Sequence, residues 1–329
     1  MAVVELPVAG IDYPHTFHEF DAWFSSDEAC RAHLMRVRWP DGFNCPHCGR
    51  AAEPWKTTGD WLKCRGCRKR TSVTAGTVFE GTRKSLRTWF LAMWFVTSQK
   101  FGANALGVQR VLGFGSYQTA WAWLHKLRRA MVRSGRDRLV GPVEADETYV
   151  GGPEEGKPGR QSERKAIVAV AVEVRGRGMG RVRLRRVPDV SGASLVPFIR
   201  DVVGPGSVVH TDDWNGYNGL GAAGFDRRVT NIKQSGRPAH EVMPRGHRVA
   251  SLLKRWLTGT LQGGVQHFHL DYYLDEFTFR FNRRTSRSRG LLFHRLLQQA
   301  AATAPVPYRR LVHRPGQDPA GQADGEAVQ

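Results

Sequence analysis

Residues 143–152 read Val-Glu-Ala-Asp-Glu-Thr-Tyr-Val-Gly-Gly, and residues 208–217 read Val-Val-His-Thr-Asp-Asp-Trp-Asn-Gly-Tyr. Both stretches begin with apolar residues that favour a buried strand, and an aspartate, Asp146 or Asp212, ends each strand-like run. Two carboxylates at strand ends can share divalent metal ions, and two such ions can stabilise the attacking and leaving oxygens of a phosphodiester. The two stretches therefore predict an α/β fold with an acidic metal site.

The sequence around these stretches alternates predicted strands and helices. The order strand, strand, strand, helix, strand, helix or loop, strand, helix is that of an RNase H-like α/β domain, which places carboxylates on its first strand and beside its fourth. Asp146 and Asp212 occupy those places. The predicted strands are 142–146, 166–174, 180–187, 207–211 and 227–233, and the predicted helices are 194–203 and 247–257.

Other acidic residues flank the two aspartates. Because side chains alternate along a strand, Glu144 should share the face of Asp146, whereas Glu147 and Asp213 should point away from their neighbouring aspartates. An accessory role for Glu144 is an open alternative, and a supporting or solvated role is expected for Glu147.

Four of the five cysteines form two Cys-x-x-Cys pairs, Cys45/Cys48 and Cys64/Cys67. This spacing predicts a zinc ribbon, in which four thiolates close the shell of a structural Zn²⁺ ion. His47 lies inside the first pair and is the alternative ligand, whereas Cys30 is expected to be a buried apolar residue.

Residues 85–134 carry a helical pattern with a Gly-containing break at 113–115. Two helices joined by such a turn favour a helix-turn-helix that binds DNA through Lys126, Arg128 and Arg129. The alternative is an ordinary helical bundle whose aromatic stripe is core.

The charge balance favours a polyanionic partner. The 329 residues include 49 Lys and Arg against 30 Asp and Glu, a formal charge of +19, which indicates nucleic acid before an anionic membrane surface. No stretch approaches the roughly 20 apolar residues of a membrane span, and the N-terminus lacks the basic start of a signal peptide. We therefore expect a cytoplasmic protein.

The motifs in this order resemble the insertion-sequence-1595 transposases, which are bacterial DDE-type enzymes with an N-terminal zinc ribbon. The resemblance spans about residues 20–300. It implies cut-and-join transposition with Mg²⁺ as the cofactor. The matching stretches are the cysteine pairs, Thr74-Ala-Gly-Thr-Val-Phe79, Ala120-Trp121, Asp146-Glu-Thr-Tyr-Val-Gly-Gly152, Thr211-Asp-Asp-Trp-Asn-Gly-Tyr217, Leu252-Leu-Lys-Arg255 and Tyr273-Leu-Asp-Glu-Phe-Thr-Phe-Arg-Phe-Asn-Arg-Arg284.

The third metal ligand departs from the family pattern. The family places an acid or Asn seven residues before a Lys, and in this chain the residue seven before Lys254 is His247. Histidine nitrogen suits Mn²⁺ better than Mg²⁺. The rival ligand is Glu276, whose place on a later amphipathic helix suggests an ordinary solvated charge.

Four units are expected from this reading. They are a helical lead-in and zinc ribbon at 12–80, a helical DNA-binding region at 81–138, an RNase H-like catalytic domain at 139–300 and a disordered tail at 315–329. Loop 151–165 should be flexible. Lys254, Arg283 and Arg284 should grip DNA phosphates.

The predicted function is a transposase that binds its element's terminal repeats and target DNA, as a homo-oligomer, and uses Asp146, Asp212 and His247 to hold Mg²⁺ or Mn²⁺. The alternative is a DNA-binding protein without catalysis, either a decayed transposase or a regulator. A zinc-ribbon transcription or translation factor explains residues 43–70 and little else.

Overall fold

A computed structural model describes residues 12–57, 61–133, 135–151, 165–262 and 265–312. The tail 315–329 and nearly all of loop 151–165 lie outside the described residues, so the expectations about them stay predictions.

A five-stranded mixed sheet forms the centre of the C-terminal half. Its strands are β4 Val143–Val150, β5 Ala166–Arg175, β6 Gly178–Val187, β7 Val208–Asp212 and β8 Asp226–Thr230. They lie in the order β6-β5-β4-β7-β8. Strands β4, β5 and β6 form an antiparallel meander, and β4, β7 and β8 run parallel to one another. The predicted strands are all present, although β4 is longer than expected.

Each face of this sheet has its own core, because apolar side chains of β4 and β5 point alternately to both sides. Helix α6 (Gly192–Val202) and the 3-10 turn 215–220 cover one face. Helices α8 (Pro244–Leu261) and α9 (Leu270–Asn282) cover the other. The short helix α7 (Ala239–Val242) precedes α8, and a 3-10 turn at His267–His269 precedes α9.

The N-terminal helices form a separate aromatic core. Trp89 stacks on Trp123 with ring centroids 3.5 Å apart. The predicted lead-in is confirmed, and Ser26 caps α2 by accepting the N–H of Ala29. These helices are α1 Phe17–Trp23, α2 Asp27–Arg38, α3 Leu86–Ser98, α4 Ala105–Leu112 and α5 Tyr117–Ala130.

Helices α4 and α5 are joined at Gly113, whose φ of 64° ends α4. Most of α5 is buried against α4, α9, α10 (Arg289–Ala302) and α11 (Tyr308–Val312). This burial favours the bundle interpretation over an exposed recognition helix. Helix α10 was expected in the catalytic domain, yet Phe293 and Leu297 lie in the core of the N-terminal helices.

The region between α2 and α3 contains a small three-stranded antiparallel sheet, β1-β2-β3. Its strands are β1 Trp55–Lys56, β2 Leu62–Lys63 and β3 Arg70–Thr71. Within the described ranges no helix is both long and apolar enough to span a membrane.

Candidate active site and zinc site

Asp146 lies in the middle of the sheet. It is the fourth residue of β4 and pairs with Val170 of β5. The prediction that Asp146 ends its strand was wrong, because β4 continues to Val150 and pairs with β5 along its own whole length. Asp212 is the last residue of β7, as predicted. Because β4 and β7 are neighbouring parallel strands, the two aspartates come from adjacent positions of one sheet.

The N-terminus of α8 packs directly on β4 beside Asp146. A Cβ atom on Gly246 would lie 3.0 Å from the Cβ of Asp146, so a residue without a side chain permits this approach. Glu144 is buried and accepts the backbone N–H groups of Arg245 (2.8 Å) and Gly246 (3.0 Å). These N–H groups belong to the first turn of a helix, where donors lack a partner within the helix. Glu144 therefore fixes the start of α8 on the sheet.

Glu144 does share the face of Asp146, but a salt bridge of 2.7 Å to Arg245 occupies it. Arg245 also donates to the carbonyl of Gly178 (3.1 Å), the first residue of β6. The geometry assigns Glu144 the positioning of α8 and of the residue that follows Gly246.

His247 is that residue, and its Nε2 lies 3.9 Å from Oδ2 of Asp146. The side chain of His247 is 41% exposed, whereas that of Asp146 is 18% exposed, so the site opens to solvent on the histidine side. Burial lowers the pKa of His247, as does His240, while Glu144 and Asp212 act in the opposite direction. Asp146 of β4 thus has Asp212 on the neighbouring strand and His247 of α8 beside it, although in the described residues only the four cysteines form a set of three or more ligand side chains compact enough to hold one metal ion.

Carboxylates crowd this region. Burial, together with the negative charges of Glu147, Asp212 and Glu144, raises the pKa of Asp146 to about 7. Such crowding is the environment in which a divalent cation stabilises the ionised form of an acid. Oxygen ligands from two carboxylates and one imidazole nitrogen fit Mn²⁺ and, less well, Mg²⁺.

The turn after β7 holds Asp212 in place. The backbone N–H of Trp214 donates to Oδ1 of Asp212 at 3.1 Å. A Cβ atom on Gly216 would lie 2.3 Å from the carbonyl oxygen of Val190, so the turn requires glycine at this position. Arg227 on β8 donates to the carbonyls of Asp212 and Trp214, both at 3.1 Å. Sequence reasoning missed Arg227, because nothing in a lone arginine on a strand indicates which turn it will reach.

Tyr217 is the last residue of the motif 211–217, and the sequence predicts no role for it. It is buried, and its hydroxyl donates to Glu147 at 3.2 Å. Burial raises the pKa of Tyr217 well above its usual range, as do Glu147, Asp146 and Asp212. Glu147 points to the face opposite Asp146, as predicted, and is a hydrogen-bond acceptor beneath the site.

Glu276 cannot be the third ligand, and the expectation that it is a solvated charge was also wrong. It is fully buried and pairs with Arg128 and Arg280, each at 2.7 Å. Burial alone would raise the pKa of Glu276, but Arg280 and Arg128 hold it below its usual value. The carboxylate therefore has its charge compensated inside the protein by two arginines.

The predicted DNA-binding residues differ in accessibility. The prediction that Arg128 binds DNA was wrong. Arg128 is buried between Glu276 and the carbonyl of Ala103, so it is not available to DNA. Arg129 and Lys254 are exposed, and Lys126 is partly buried, which lowers its pKa. Arg283 and Arg284 lie over the rings of Phe279 and Phe281, each at 4.2 Å. Whether any of them contacts DNA stays a prediction.

The four cysteines form one compact cluster. All four sulfurs lie within 4.8 Å of one another, with Cys45 to Cys67 and Cys48 to Cys64 both at 3.7 Å. Four sulfurs around a zinc ion at bond lengths of about 2.3 Å would be separated by roughly 3.8 Å. The cluster therefore fits a structural Zn²⁺ ion.

Two equivalent turns present these cysteines. Cys45 donates its N–H to Arg50 and accepts that of Gly49, and Cys64 repeats both bonds with Lys69 and Arg68. Gly49 and Arg68 both have positive φ, 70° and 59°. His47 is exposed and lies outside the cysteine cluster. Cys30 is buried as predicted, and burial raises its pKa to about 12.

Comparison with known proteins agrees with this architecture. Residues 138–282 match the ISXO2-like transposase domain, and residues 25–70 match the transposase zinc-ribbon domain. The first match contains Asp146, Asp212 and His247, and the second contains all four clustered cysteines. The chain is thus a zinc-ribbon protein with a transposase domain. These are the two domains that the IS1595 transposase family models describe.

Two relatives support this assignment. One is an uncharacterized protein in transposable element ISH50 of Halobacterium salinarum, 31% identical over 132 residues, or 39% of this chain and 43% of the relative. The other is an uncharacterized transposase-like protein of Haemophilus influenzae, 29% identical over 112 residues, or 34% of this chain and 89% of the relative. The match therefore spans less than half of the Halobacterium protein. No solved structure matches the chain.

Proposed function

We propose that this protein is a DDE-type transposase that binds its element's terminal repeats and cuts and joins DNA at Asp146, Asp212 and His247. The observation that carries the proposal is that His247 of α8 lies beside Asp146 of β4, with Asp212 on the neighbouring strand β7, within a transposase domain. The sheet order β6-β5-β4-β7-β8 supports an RNase H-like fold for this domain.

The residues of the site would have two roles, metal binding and positioning. Asp146, Asp212 and His247 would hold Mg²⁺ or Mn²⁺, which supplies charge stabilisation for the attacking and leaving oxygens of a phosphodiester. Glu144 and Arg245 position α8, so that His247 lies beside Asp146. Arg227 and the N–H of Trp214 fix the turn that carries Asp212.

Lys254 lies seven residues after His247 on α8, which is about two turns and nearly the same helix face. Its side chain is exposed. An ammonium group at this place can bind a phosphate of the strand that enters the site. Arg129, on the N-terminal bundle, is a second exposed cation that suits flanking DNA.

The test is strand transfer by the purified protein on its element's terminal repeats, with Mg²⁺ and separately with Mn²⁺. Asp146→Ala and His247→Ala should abolish the reaction while binding of the repeats survives. Asp213→Ala is the matched control, because Asp213 adjoins Asp212 but is exposed and hydrogen-bonded to Asn231 at 2.8 Å. It should retain activity.

His247→Asp tests how the third ligand affects the activity with Mg²⁺ and with Mn²⁺. A third carboxylate would restore an all-oxygen ligand set, so this variant should gain activity with Mg²⁺ relative to Mn²⁺. Tight binding of the repeats by wild type without cleavage in either metal would instead identify a DNA-binding protein that has lost catalysis.

A further inference from the structure

A large cleft lies on the helical side of the molecule, outside the acidic site. It is bounded by the C-terminal end of α3, by α8 and α9, and by the start of α10. Its volume is about 730 Å³, within the range of roughly 300–1,000 Å³ typical of ligand sites. Neither the acidic site nor the zinc cluster contributes to it.

The floor of the cleft is apolar and aromatic. Trp256 and Phe277 line it, with ring centroids 6.0 Å apart, and Leu252 and Phe281 extend the apolar surface. Phe101 lies at the edge and is 74% exposed, more than any other large apolar side chain in the described ranges. An exposed ring beside a cleft is a surface on which a flat ligand can stack.

The rim is cationic, and part of it has no internal partner. Arg280 is tied to Glu276, and Arg284 donates to the carbonyl of Gly180 at 3.2 Å. In contrast, Arg248, Arg255 and Arg289 are exposed, and no acidic side chain in the described part of the chain pairs with them. Three free guanidinium groups around an apolar floor favour a ligand that is both anionic and aromatic.

An unpaired DNA strand has this combination. Its phosphates can pair with arginines, and its bases can stack on aromatic rings. The bases of a duplex are enclosed by their own stacking and pairing, so they cannot reach an apolar floor. A duplex could therefore use the rim but not the floor.

Helix α8 connects the cleft with the acidic site. Successive residues on an α-helix are about 100° apart, so His247 and Lys254 share one face while Arg248 and Arg255 share the next. Both faces border the exposed side of the helix. A strand that leaves the acidic site across α8 has to travel only about the helix diameter of 10–12 Å to enter the cleft.

We propose that this cleft binds an unpaired DNA strand next to the acidic site, with bases on Phe101 and Trp256 and phosphates on Arg248, Arg255 and Arg289. The inference extends the proposed function, since it names a second DNA site on the same helix. It assigns the single-stranded part of the DNA to the cleft.

The experiment measures binding of a fluorescent oligothymidine and of a duplex terminal repeat to the full chain. Phe101→Ala should weaken oligothymidine binding roughly tenfold, because base stacking on a ring is lost, and should leave duplex binding nearly unchanged. Phe17→Ala is the matched control, since Phe17 is also an exposed phenylalanine, 56% exposed, but lies on α1 outside the cleft. It should change neither affinity.

The arginines are tested with Arg248→Ser and Arg255→Ser, and the exposed Arg200 of α6 supplies the control Arg200→Ser. The two rim variants should weaken oligothymidine binding and lower its salt dependence, while the control should not. All of these side chains are exposed, so the folded state should survive each change.

Three outcomes would overturn the inference. Phe101→Ala could bind oligothymidine as tightly as wild type, the variants could weaken duplex and single strand equally, or polyglutamate could compete as well as oligothymidine does. Each of these results would show that the cleft binds anionic ligands in general and has no preference for an unpaired strand. Loss of strand transfer in Asp146→Ala is measured separately, so failure of the catalytic proposal is distinguishable from failure of this one.

Discussion

Asp146, which is partly buried, and Glu276, which is fully buried, are carboxylates on the same side of the chain's central sheet, yet their surroundings are opposite. Asp146 has Glu144, Glu147 and Asp212 as electrostatic neighbours, and its pKa rises to about 7. Glu276 lies between two arginines, and its pKa is lowered. A carboxylate that is paired with the chain's own arginines stabilises the folded structure. Several carboxylates that lie close together without such partners are instead suited to binding an external cation.

The largest effect is expected at the cysteines, which are the strongest case of anionic ligands gathered for a cation. Cys64→Ser should abolish zinc binding and unfold the ribbon, since a structural zinc ion supplies about 10–16 kcal/mol of apparent binding free energy at neutral pH. Metal content and protease sensitivity of residues 40–75 measure this. Cys30→Ala is the control, because Cys30 is buried outside the cluster, and unchanged zinc content is expected.

Glu276→Gln should destabilise the protein by about 3–5 kcal/mol, because the buried guanidinium of Arg128 and the partly buried one of Arg280 lose their compensating charge. Urea denaturation measures the change. Asp201→Asn is the control, since its pair with Arg185 is exposed and should contribute at most about 1 kcal/mol. Equal destabilisation by the two variants would show that Glu276 is not the structural acid proposed.

His125 extends the comparison between ionisable groups with and without a compensating partner, because it lies buried next to Arg128. Neither ring nitrogen has a hydrogen-bond partner in the described part of the chain. Burial, Arg128 and His269 lower its pKa from 6.5 to about 2. The unfolded chain therefore binds a proton below pH 6.5 that the folded chain does not, so stability falls as pH falls from 6.5 towards 2.

His125→Phe should remove this part of the pH dependence. Between pH 7 and pH 5 it should lose about 2 kcal/mol less stability than wild type, since each pH unit below 6.5 costs up to about 1.4 kcal/mol. Urea denaturation at several pH values is the measurement. His18→Gln, at an exposed histidine, should track wild type at every pH.

The smallest change in stability is expected at Asp146. Asp146→Asn removes one charge from a crowded group of acids, so the free energy of unfolding should equal or slightly exceed that of wild type. The same variant should abolish strand transfer. A loss of stability as large as that of Glu276→Gln would break the comparison, because it would make Asp146 a structural acid as well.

Much of the architecture was predictable from the chain alone. The four cysteines, the strands of the sheet and the helix that carries His247 follow from local spacing and from runs of β-branched residues. The preference for His247 over Glu276 as third ligand rests on the spacing from Lys254 that the family resemblance implies, and it stays a prediction. The sequence does not predict that β4 continues beyond Asp146, because Glu147 and Thr148 are polar. That part of the strand is stabilised by pairing with β5.

Sequence by itself determined which chemical groups this protein possesses: a four-thiolate set, two aspartates at neighbouring strands, and an excess of arginine. Tertiary structure alone decided which of these groups are available. Arg128 and Glu276 are 148 positions apart, and only the packing of α5 on α9 joins them in a buried pair that removes both from function. Charge compensation depends on distances of a few ångströms, and these distances arise between elements that are remote along the chain.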